Sequence, residues 1–259
     1  MSFHQIKSYL KHATSAVNAH GIHSPFVFDL YNEALRDDSQ YYIFEEIEAY
    51  RAKLLRDRSS IHVTDLGAGS HKMKSAKRTI SRIAQTSLQK AKQAQLLFRL
   101  ALWLKPKSVL ELGCSLGITT SYLAAALPKT PITTVEGCPK IADVARSTFD
   151  KLGRKNITQE VGNFDDILPR LIQQSEYDFV FLDGNHSYDA TMRYVNLLLS
   201  QNTPPSVIVL DDIYWSKGMT RAWKETIARP DFQLSIDLFD FGILFRKKGM
   251  EKQDFRLKV

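Results

Sequence analysis

The chain has little cysteine and no long hydrophobic run. Its 259 residues contain two cysteines, Cys114 and Cys138. Two are too few for a disulfide framework, so we expect both to be reduced in a cytoplasmic protein. No cysteine or histidine partners stand near them at zinc-site spacing, which argues against a zinc site. Apolar stretches such as 100–104 are much shorter than the roughly 18 residues that a membrane span requires, and the N-terminus lacks the hydrophobic core of a secretory signal.

Positive charge is in excess, because 35 lysine and arginine residues outnumber 28 aspartate and glutamate residues and give a net charge of +7. The basic residues are spread over three segments, 72–92, 151–155 and 246–258. This spread is typical of a basic surface that contacts only solvent. The alternative is a surface that binds a nucleic acid or an acidic substrate. The chain has no zinc ribbon or RNP-like signature, so nucleic-acid binding is disfavoured but stays open.

The most informative segment is 108–138, which reads as strand, turn, helix and strand. An apolar run reaches Glu111, and a helix-forming stretch covers 118–127. A second β-prone run, 132–135, ends on Glu136. Small residues fill every second position of the turn after the first run: Gly113, Ser115 and Gly117. Because glycine lets a turn approach a ligand closely, this pattern is how an open α/β sheet holds a nucleoside-like cofactor.

The two carboxylates of this segment indicate which cofactor is bound. A dinucleotide turn has the pattern G-x-G-x-x-G and aims a helix N-terminus at a pyrophosphate, but here Glu111 would repel a phosphate and attract an ammonium group. Glu136 stands where a ribose lies, and a carboxylate accepts hydrogen bonds from two vicinal hydroxyls. The segment therefore resembles motif I of class I S-adenosylmethionine-dependent methyltransferases, and Glu136 resembles their ribose-binding acid. The alternative is that the glycines only form a tight turn.

The resemblance implies cofactor contacts outside the turn as well. Gly137 follows the ribose-binding acid, and Asn163 with Phe164 follows the next predicted strand, where the adenine is expected. Asp183, after a later strand, is also expected to contact the cofactor. An amide can donate to and accept from a base edge. The alternative for Asn163 is that it caps the helix that begins near Asp165.

Two further strand ends bring acidic residues to the same edge of the predicted sheet. Asp183 ends one apolar run and is followed three residues later by His186, whereas Asp211 and Asp212 end the next apolar run. Neighbouring strands lie about 5 Å apart, so these carboxylates should converge. Converging carboxylates repel one another unless a proton or a cation neutralises them. A hard divalent ion such as Mg²⁺ is one solution.

These segments resemble the metal-dependent O-methyltransferases of the catechol and caffeoyl-coenzyme A type. The resemblance implies Asp183, Asp211 and Asp212 as metal ligands, although catechol-type enzymes have Asp-Asn where this chain has Asp211-Asp212. The alternative is that Asp183 or Asp211 caps a helix or binds the substrate directly. Asp183 and His186 are the predicted catalytic residues, with His186 as the general base that takes a proton from the acceptor hydroxyl. The alternative for His186 is a loop histidine that bonds a carbonyl.

Strands and helices alternate from residue 108 onward, which predicts an α/β fold with a Rossmann-like, doubly wound, mostly parallel sheet. The last two predicted strands, 233–238 and 242–246, are joined too closely for a crossover helix and should form an antiparallel hairpin. The resemblance implies seven strands, of which the last is antiparallel. Residues 1–84 should form an N-terminal helical extension that acts as a lid, and residues 85–259 the S-adenosylmethionine-binding methyltransferase domain.

A second strand–acid–glycine pattern occurs earlier, at 61–70. A basic run follows it instead of a strand that ends in an acid, so we interpret it as a substrate-side loop and not as the cofactor site. Residues 75–104 are predicted to form one or two helices. The acceptor pocket is expected to include the turn 67–70 and several distant side chains, for each of which core packing is the alternative: His20, His23, Phe26, Tyr214 and Trp215.

The sequence therefore predicts an S-adenosylmethionine-dependent enzyme that methylates the hydroxyl of a small molecule, and it leaves open whether Mg²⁺ assists the reaction. One alternative is an N-methyltransferase that acts on RNA or protein, which the net charge of +7 would suit. Another is a non-catalytic protein that binds the cofactor and serves as an interaction partner. The sequence does not name the acceptor, and it leaves a homodimer open.

Overall fold

The structure is a computed structural model that describes residues 2–65 and 74–259. The predicted substrate-side turn, 67–70, lies outside the described residues. Within the two described ranges, no helix is both long enough and apolar enough to cross a bilayer.

The described chain divides into two compact units. The continuous unit comprises residues 32–167, and the split unit comprises residues 1–31 together with residues 168–259. Each unit contains both helices and strands. The predicted division between residues 84 and 85 stays a prediction.

Helices fill most of the N-terminal region and then alternate with strands. In chain order the helices are α1 Phe3–Ser15, α2 Pro25–Leu30, α3 Tyr42–Arg56, α4 Ile80–Ser87, α5 Ala91–Leu104, α6 Ile118–Ala126, α7 Pro139–Lys151, α8 Phe164–Gln174, α9 Tyr188–Leu199 and α10 Lys217–Ala228. Helices α1 to α3 lie within the segment 1–84, which the sequence predicts to be a helical extension.

The strands form one large sheet and one hairpin. In chain order they are β1 Ser60–Asp65, β2 Lys74–Thr79, β3 Val109–Leu112, β4 Ile132–Glu136, β5 Ile157–Val161, β6 Phe179–Leu182, β7 Val207–Asp211, β8 Leu234–Asp237, β9 Phe241–Phe245 and β10 Gln253–Arg256. Strands β1 and β2 pair with each other, and the other eight belong to a mostly parallel sheet. The predicted α/β fold with a mostly parallel sheet is confirmed.

The part of the sheet in the continuous unit is entirely parallel. Strand β4 lies between β3 and β5, with Val109 paired to Ile132 and Ile132 paired to Ile157. Every residue of β3 is buried. Because the three strands run in one direction, their carboxyl ends, and the turns that follow them, meet at one edge of this unit.

The part in the split unit has the order β10-β8-β9-β7-β6. Strand β9 runs antiparallel to both β7 and β8, which confirms the predicted closing hairpin. Strands β6 and β7 are parallel neighbours, with Leu182 paired to Leu210. The segments that follow these two strands, which begin at Asp183 and Asp212, therefore leave the sheet side by side.

The predicted count of seven strands is wrong, because β10 adds an eighth strand after the reversed strand β9. Strand β10 lies parallel to β8 at the edge of the sheet. Its sequence, Gln-Asp-Phe-Arg, lacks a hydrophobic alternation, and partners on β8 hold it: Ser235 donates a 2.5 Å hydrogen bond to Asp254, and Arg256 donates a 3.1 Å hydrogen bond to Asp237. Local sequence does not reveal such long-range pairing.

The prediction of helix from residue 75 is also wrong at its start. Residues 74–79 form β2, which pairs antiparallel with β1 so that Ser60 lies opposite Thr79. Helix α4 begins only after Thr79, whose side chain accepts a hydrogen bond from the backbone of Arg82 at 3.2 Å. The cross-strand pairing and this N-cap decide the conformation of a segment that is too polar to show a clear period.

Candidate functional site

The turn after β3 needs glycine at its end. Gly113, Ser115 and Gly117 have φ angles of 104°, 47° and 81°, in the left-handed region. Gly117 is the N-cap of α6, and a Cβ atom there would lie 2.5 Å from the ring of Phe149. The turn therefore has two reasons for glycine, a positive φ and the close packing of α6 against α7.

Glu136, at the end of β4, is fixed by two backbone groups. Its Oε2 accepts a hydrogen bond from the N–H of Ser115 at 3.0 Å, and its Oε1 accepts one from the N–H of Cys138 at 2.9 Å. These bonds orient the carboxylate across the mouth of the glycine turn, where the sequence predicts the ribose-binding acid. Because backbone donors are rigid, the carboxylate is oriented before any ligand arrives.

Glu111 lies deeper, beneath the same turn. It is fully buried, and its Oε2 accepts hydrogen bonds from the hydroxyls of Thr120 at 2.5 Å and Thr134 at 2.6 Å. Glu111 thereby links the end of β3 to α6 and to β4. Direct contact between Glu111 and a cofactor stays a prediction, since the observed bonds already give this carboxylate a structural role.

The two cysteines lie near Glu111 and Glu136 and do not form a disulfide with each other. Both are buried. Burial, together with the nearby carboxylates of Glu136 and Glu111, raises the pKa of the Cys114 thiol well above its usual value, so this thiol stays protonated. The Sγ of Cys138 accepts a hydrogen bond from the backbone of Thr64 at 3.3 Å, which ties β1 to the start of α7.

Asn163 begins the segment that leads into α8. Its side-chain oxygen accepts a hydrogen bond from the N–H of Asp165 at 3.0 Å, and its backbone oxygen accepts one from Ile167 at 2.9 Å. The helix-capping alternative for Asn163 is therefore present in the structure. Contact of Asn163 and Phe164 with adenine stays a prediction, as does a cofactor role for Gly137.

In the split unit, three predicted site residues come together. Asp183, His186 and Asp211 each offer one ligand atom, and these atoms all lie within 4.8 Å of one another. The Nε2 of His186 is 3.8 Å from an oxygen of Asp183. We refer to these three residues as the acid–imidazole cluster. Two carboxylates this close require a proton, a cation or an imidazolium between them.

The turn between β6 and α9 places His186. Asn185 has a φ of 54°, and its side chain donates a 3.1 Å hydrogen bond to the hydroxyl of Tyr194 on α9. Ser187 then caps α9 by accepting from the N–H of Ala190 at 3.4 Å. The anchors on both sides of His186 fix the backbone that carries the imidazole, although short polar residues at these positions also occur in ordinary turns.

Asp212 does not belong to the acid–imidazole cluster. Its φ is 53°, and its backbone N–H donates a 2.9 Å hydrogen bond to the carbonyl of Asp240. Of the three predicted metal ligands, the structure thus brings Asp183 and Asp211 together and adds His186. Ligand roles for Asp183, Asp211 and Asp212 stay predictions, as does the role of His186 as general base.

A buried hydrogen-bond network near the end of β7 was not predicted from the sequence. The carboxylate of Asp237 accepts from the hydroxyl of Tyr214 at 2.6 Å, from Arg256 at 3.1 Å and from the N–H of Phe239 at 3.0 Å. The ring of His12, on α1, is 3.4 Å from the same carboxylate. Burial and the Asp237 charge raise the pKa of the Tyr214 phenol above its usual value. Because its members are distant in the sequence, no local motif marks this network.

The side chains expected to line an acceptor pocket have different surroundings. Tyr214 stacks on Phe239 with ring centroids 5.2 Å apart, and Trp215 is 56% exposed. Phe26 packs edge-on against Phe245 at 5.5 Å. Its packing supports the core alternative for Phe26, whereas Trp215 remains accessible to a ligand. His20 and His23 are exposed.

The matched family model covers the segment that contains most of these residues. Residues 110–213 match a model described as a methyltransferase domain. The match includes the glycine turn, Glu136, Asn163 and the acid–imidazole cluster.

Curated relatives are O-methyltransferases. A catechol O-methyltransferase of Niastella koreensis is 33% identical over 125 residues, which are 47% of this chain and 56% of that protein. The O-methyltransferase imqG of Aspergillus flavus is 30% identical over 114 residues, which are 41% of this chain and 45% of that protein. The chain thus spans about half the length of these relatives.

Solved structures with the same fold are methyltransferases too. The O-methyltransferase TomG of Streptomyces achromogenes, determined in complex with S-adenosylmethionine, has a TM-score of 0.54 and 25% identity over 62% of this chain and 82% of its own. The methyltransferase PaMTH1 of Podospora anserina, bound to S-adenosylhomocysteine, has a TM-score of 0.57 over 82% of this chain and all of its own, and its 17% identity shows the fold alone. Residues 110–213 thus match a methyltransferase-domain model, and the chain is similar to class I O-methyltransferases.

Proposed function

We propose that the chain is an S-adenosylmethionine-dependent methyltransferase that methylates a hydroxyl group of a small molecule. The observation that carries the proposal is the carboxylate of Glu136, oriented by the N–H groups of Ser115 and Cys138 at the mouth of the glycine turn. The O-methyltransferase relatives and the S-adenosylmethionine complex of TomG support it.

The residues of the continuous unit fit this cofactor. The Oγ of Ser115 is buried and has no hydrogen-bond partner among the described residues, so it would reach a polar group of the ligand only after the side chain rotates. Glu136 would accept hydrogen bonds from the two ribose hydroxyls. The carboxylate of Glu136 beside the turn, with the buried carboxylate of Glu111 beneath it, suits a cationic ligand better than a pyrophosphate. When bound, S-adenosylmethionine supplies a methyl group on a positively charged sulfur.

The acid–imidazole cluster supplies the base in this proposal. His186 would take the proton of the acceptor hydroxyl at Nε2 as the oxygen bonds to the methyl carbon and the carbon–sulfur electron pair passes to sulfur. Asp183, 3.8 Å from that nitrogen, would stabilise the imidazolium that results. The proton would thus pass to His186, the methyl group to the acceptor oxygen and the electron pair to sulfur.

Asp183 and Asp211 also fit a divalent cation. Carboxylate oxygens are the ligands that Mg²⁺ prefers, and two of them within 4.8 Å of each other are close enough to share an ion. An ion there would lower the pKa of a hydroxyl that it binds. Asp212 would contribute only after a change in the backbone that now bonds to Asp240.

The test is calorimetric titration of S-adenosylhomocysteine into the purified chain and into the variant Glu136→Ala. We expect the variant to lose about 1–3 kcal/mol of binding free energy, the contribution of charge-assisted hydrogen bonds. Asp143→Ala, which removes an exposed carboxylate from α7 in the same unit, is the matched control and should bind normally. Equal affinity for Glu136→Ala and the unaltered chain would contradict the ribose-binding role.

A further inference from the structure

A cavity of about 560 Å³ lies in the continuous unit, away from the glycine turn. The start of α3, the middle of α5, the end of α6 and the loop before β5 enclose it. Its floor is apolar and consists of Phe98, Leu102, Ala124 and Ala125. Its size falls in the range of roughly 300–1,000 Å³ that small-molecule sites occupy.

The charged side chains that line this cavity are both basic. They are Arg154 and Lys155, from the loop before β5. One terminal nitrogen of Arg154 bonds to Glu46 at 3.3 Å, but its Nε is buried and has no hydrogen-bond partner among the described residues. Lys155 is exposed, and the described part of the chain offers its side chain no ion pair.

A helix terminus adds to the positive potential. Helix α3, which is 15 residues long, starts at the cavity, and Tyr41 at its N-cap makes no side-chain capping bond. The first N–H groups of a helix carry a partial positive charge and favour an anion. The hydroxyl of Tyr41 instead donates to Asp37 at 3.4 Å.

Aromatic rings complete the lining. Tyr41 packs on Phe98 with ring centroids 4.9 Å apart, and Tyr42 beside it is 88% exposed. An aromatic side chain that is almost fully exposed at the rim of an apolar cavity offers its face to a flat ligand. The cavity thus combines an apolar surface with two basic side chains, Arg154 and Lys155, and with the start of α3, although Glu46 pairs with Arg154 and Glu45 lies in the first turn of α3.

We propose that this cavity is a second ligand site, which binds a flat aromatic anion such as an aromatic carboxylate or sulfonate. This site is distinct from the glycine turn. Helix α6 carries Gly117 at its N-terminal end, whereas Ala124 and Ala125 lie near its C-terminal end. The rise along this helix separates the two places by roughly 10 Å. The ring system of the ligand lies on the apolar floor, and its anionic group faces Arg154 and Lys155.

The test compares two fluorescent probes with the same ring system. One is the anion 1-anilino-8-naphthalenesulfonate, and the other is its uncharged counterpart N-phenyl-1-naphthylamine. We expect the anion to bind with a stoichiometry of one and about tenfold more tightly than the uncharged probe. The variant Lys155→Glu should weaken binding of the anion about tenfold and leave the uncharged probe unaffected. Because Lys155 is exposed, this variant should fold normally, which thermal melting checks.

A second variant tests the location. Ala125→Trp fills the cavity and should abolish binding of both probes, whereas Lys92→Glu, an exposed charge reversal on α5 outside the cavity, should change neither. S-adenosylhomocysteine at saturation should not displace the anion. The proposal is overturned if the anion binds equally to the Lys155→Glu and unaltered chains, if Ala125→Trp still binds it, or if S-adenosylhomocysteine competes with it.

Discussion

Two acidic groups in this chain are held in different ways. In the continuous unit, backbone N–H groups of Ser115 and Cys138 orient the single carboxylate of Glu136. In the split unit, the carboxylates of Asp183 and Asp211 approach each other beside an imidazole. The first arrangement is rigid and already satisfied by neutral donors, whereas the second must take up a proton or a cation.

The difference supports the proposed division of roles, in which Glu136 binds hydroxyl groups and the acid–imidazole cluster takes up the proton. A carboxylate fixed by backbone donors keeps its charge and its direction, which suits recognition of hydroxyl groups. Carboxylates that repel each other beside a histidine change their charge state readily, which suits proton transfer. The predictions below test this division between a binding acid and a reactive cluster.

The largest effect is expected at His186. The variant His186→Ala should lower turnover of an accepted hydroxyl substrate about 100- to 10,000-fold, because a general base is removed. Affinity for S-adenosylhomocysteine should not change, since His186 belongs to the reactive cluster and not to the binding acid. Calorimetric titration of Mg²⁺ into the same variant separates the roles of base and ligand. A variant that loses the cation but keeps its turnover would show that His186 is a ligand and not the base.

The second-largest effect is expected for a substitution in the glycine turn that lowers the stability of the fold. Gly117→Ala should lower the free energy of unfolding by about 2–4 kcal/mol, because the new methyl group meets Phe149 and the backbone has a positive φ. Gly153→Ala is the matched control, since its φ is +64° but no atom lies within 4 Å of the added methyl group. It should cost only about 1 kcal/mol, the penalty of the left-handed conformation alone. Urea denaturation measures both, and equal losses would mean that contact with Phe149 does not constrain the turn.

The smallest effect is expected in the pH dependence of stability, through the pKa of Cys114 beside Glu136. The pKa of Cys114 is raised above its ordinary value of 9.0 in the folded chain, so the folded state keeps a proton that the unfolded state loses. This contribution to stability is complete below pH 9 and is lost as the pH rises above it. The slope is at most about 1.4 kcal/mol per pH unit.

The variant Cys114→Ala should reduce that decline above pH 9, and Cys138→Ala should retain it. Denaturation between pH 7 and pH 10.5 gives the comparison. If the three chains lost stability in parallel, burial together with the carboxylates of Glu136 and Glu111 would not raise the pKa of the Cys114 thiol as described.

The glycine turn and Glu136 could be predicted from sequence because the elements that form them are adjacent in the chain. Strand β3, the glycine turn, α6 and β4 follow one another within 28 residues, Val109–Glu136, and each has its own pattern of apolar, glycine and acidic residues. The structure adds what the pattern does not contain. It shows that Thr120 and Thr134 donate to Oε2 of Glu111 and that the N–H groups of Ser115 and Cys138 hold Glu136.

The rest of the molecule depends on contacts between distant residues. Strand β10 forms by pairing with β8, and β2 by pairing with β1, so neither has a period that a short window reveals. Asp212 is separated from Asp211 by a positive φ that its residue type does not dictate. The network around Asp237 joins α1 to the segment after β7 across more than 200 residues of chain. In each case a tertiary contact outweighs local preference.

The most direct test of the central claim is equilibrium binding of radiolabelled S-adenosylmethionine to the purified chain, with NAD and ATP as competitors. The glycine turn and Glu136 predict saturable binding to one site that S-adenosylhomocysteine abolishes and that neither NAD nor ATP reduces. A chain that ignored S-adenosylmethionine but bound NAD or ATP would contradict the assignment of this turn to a sulfonium cofactor.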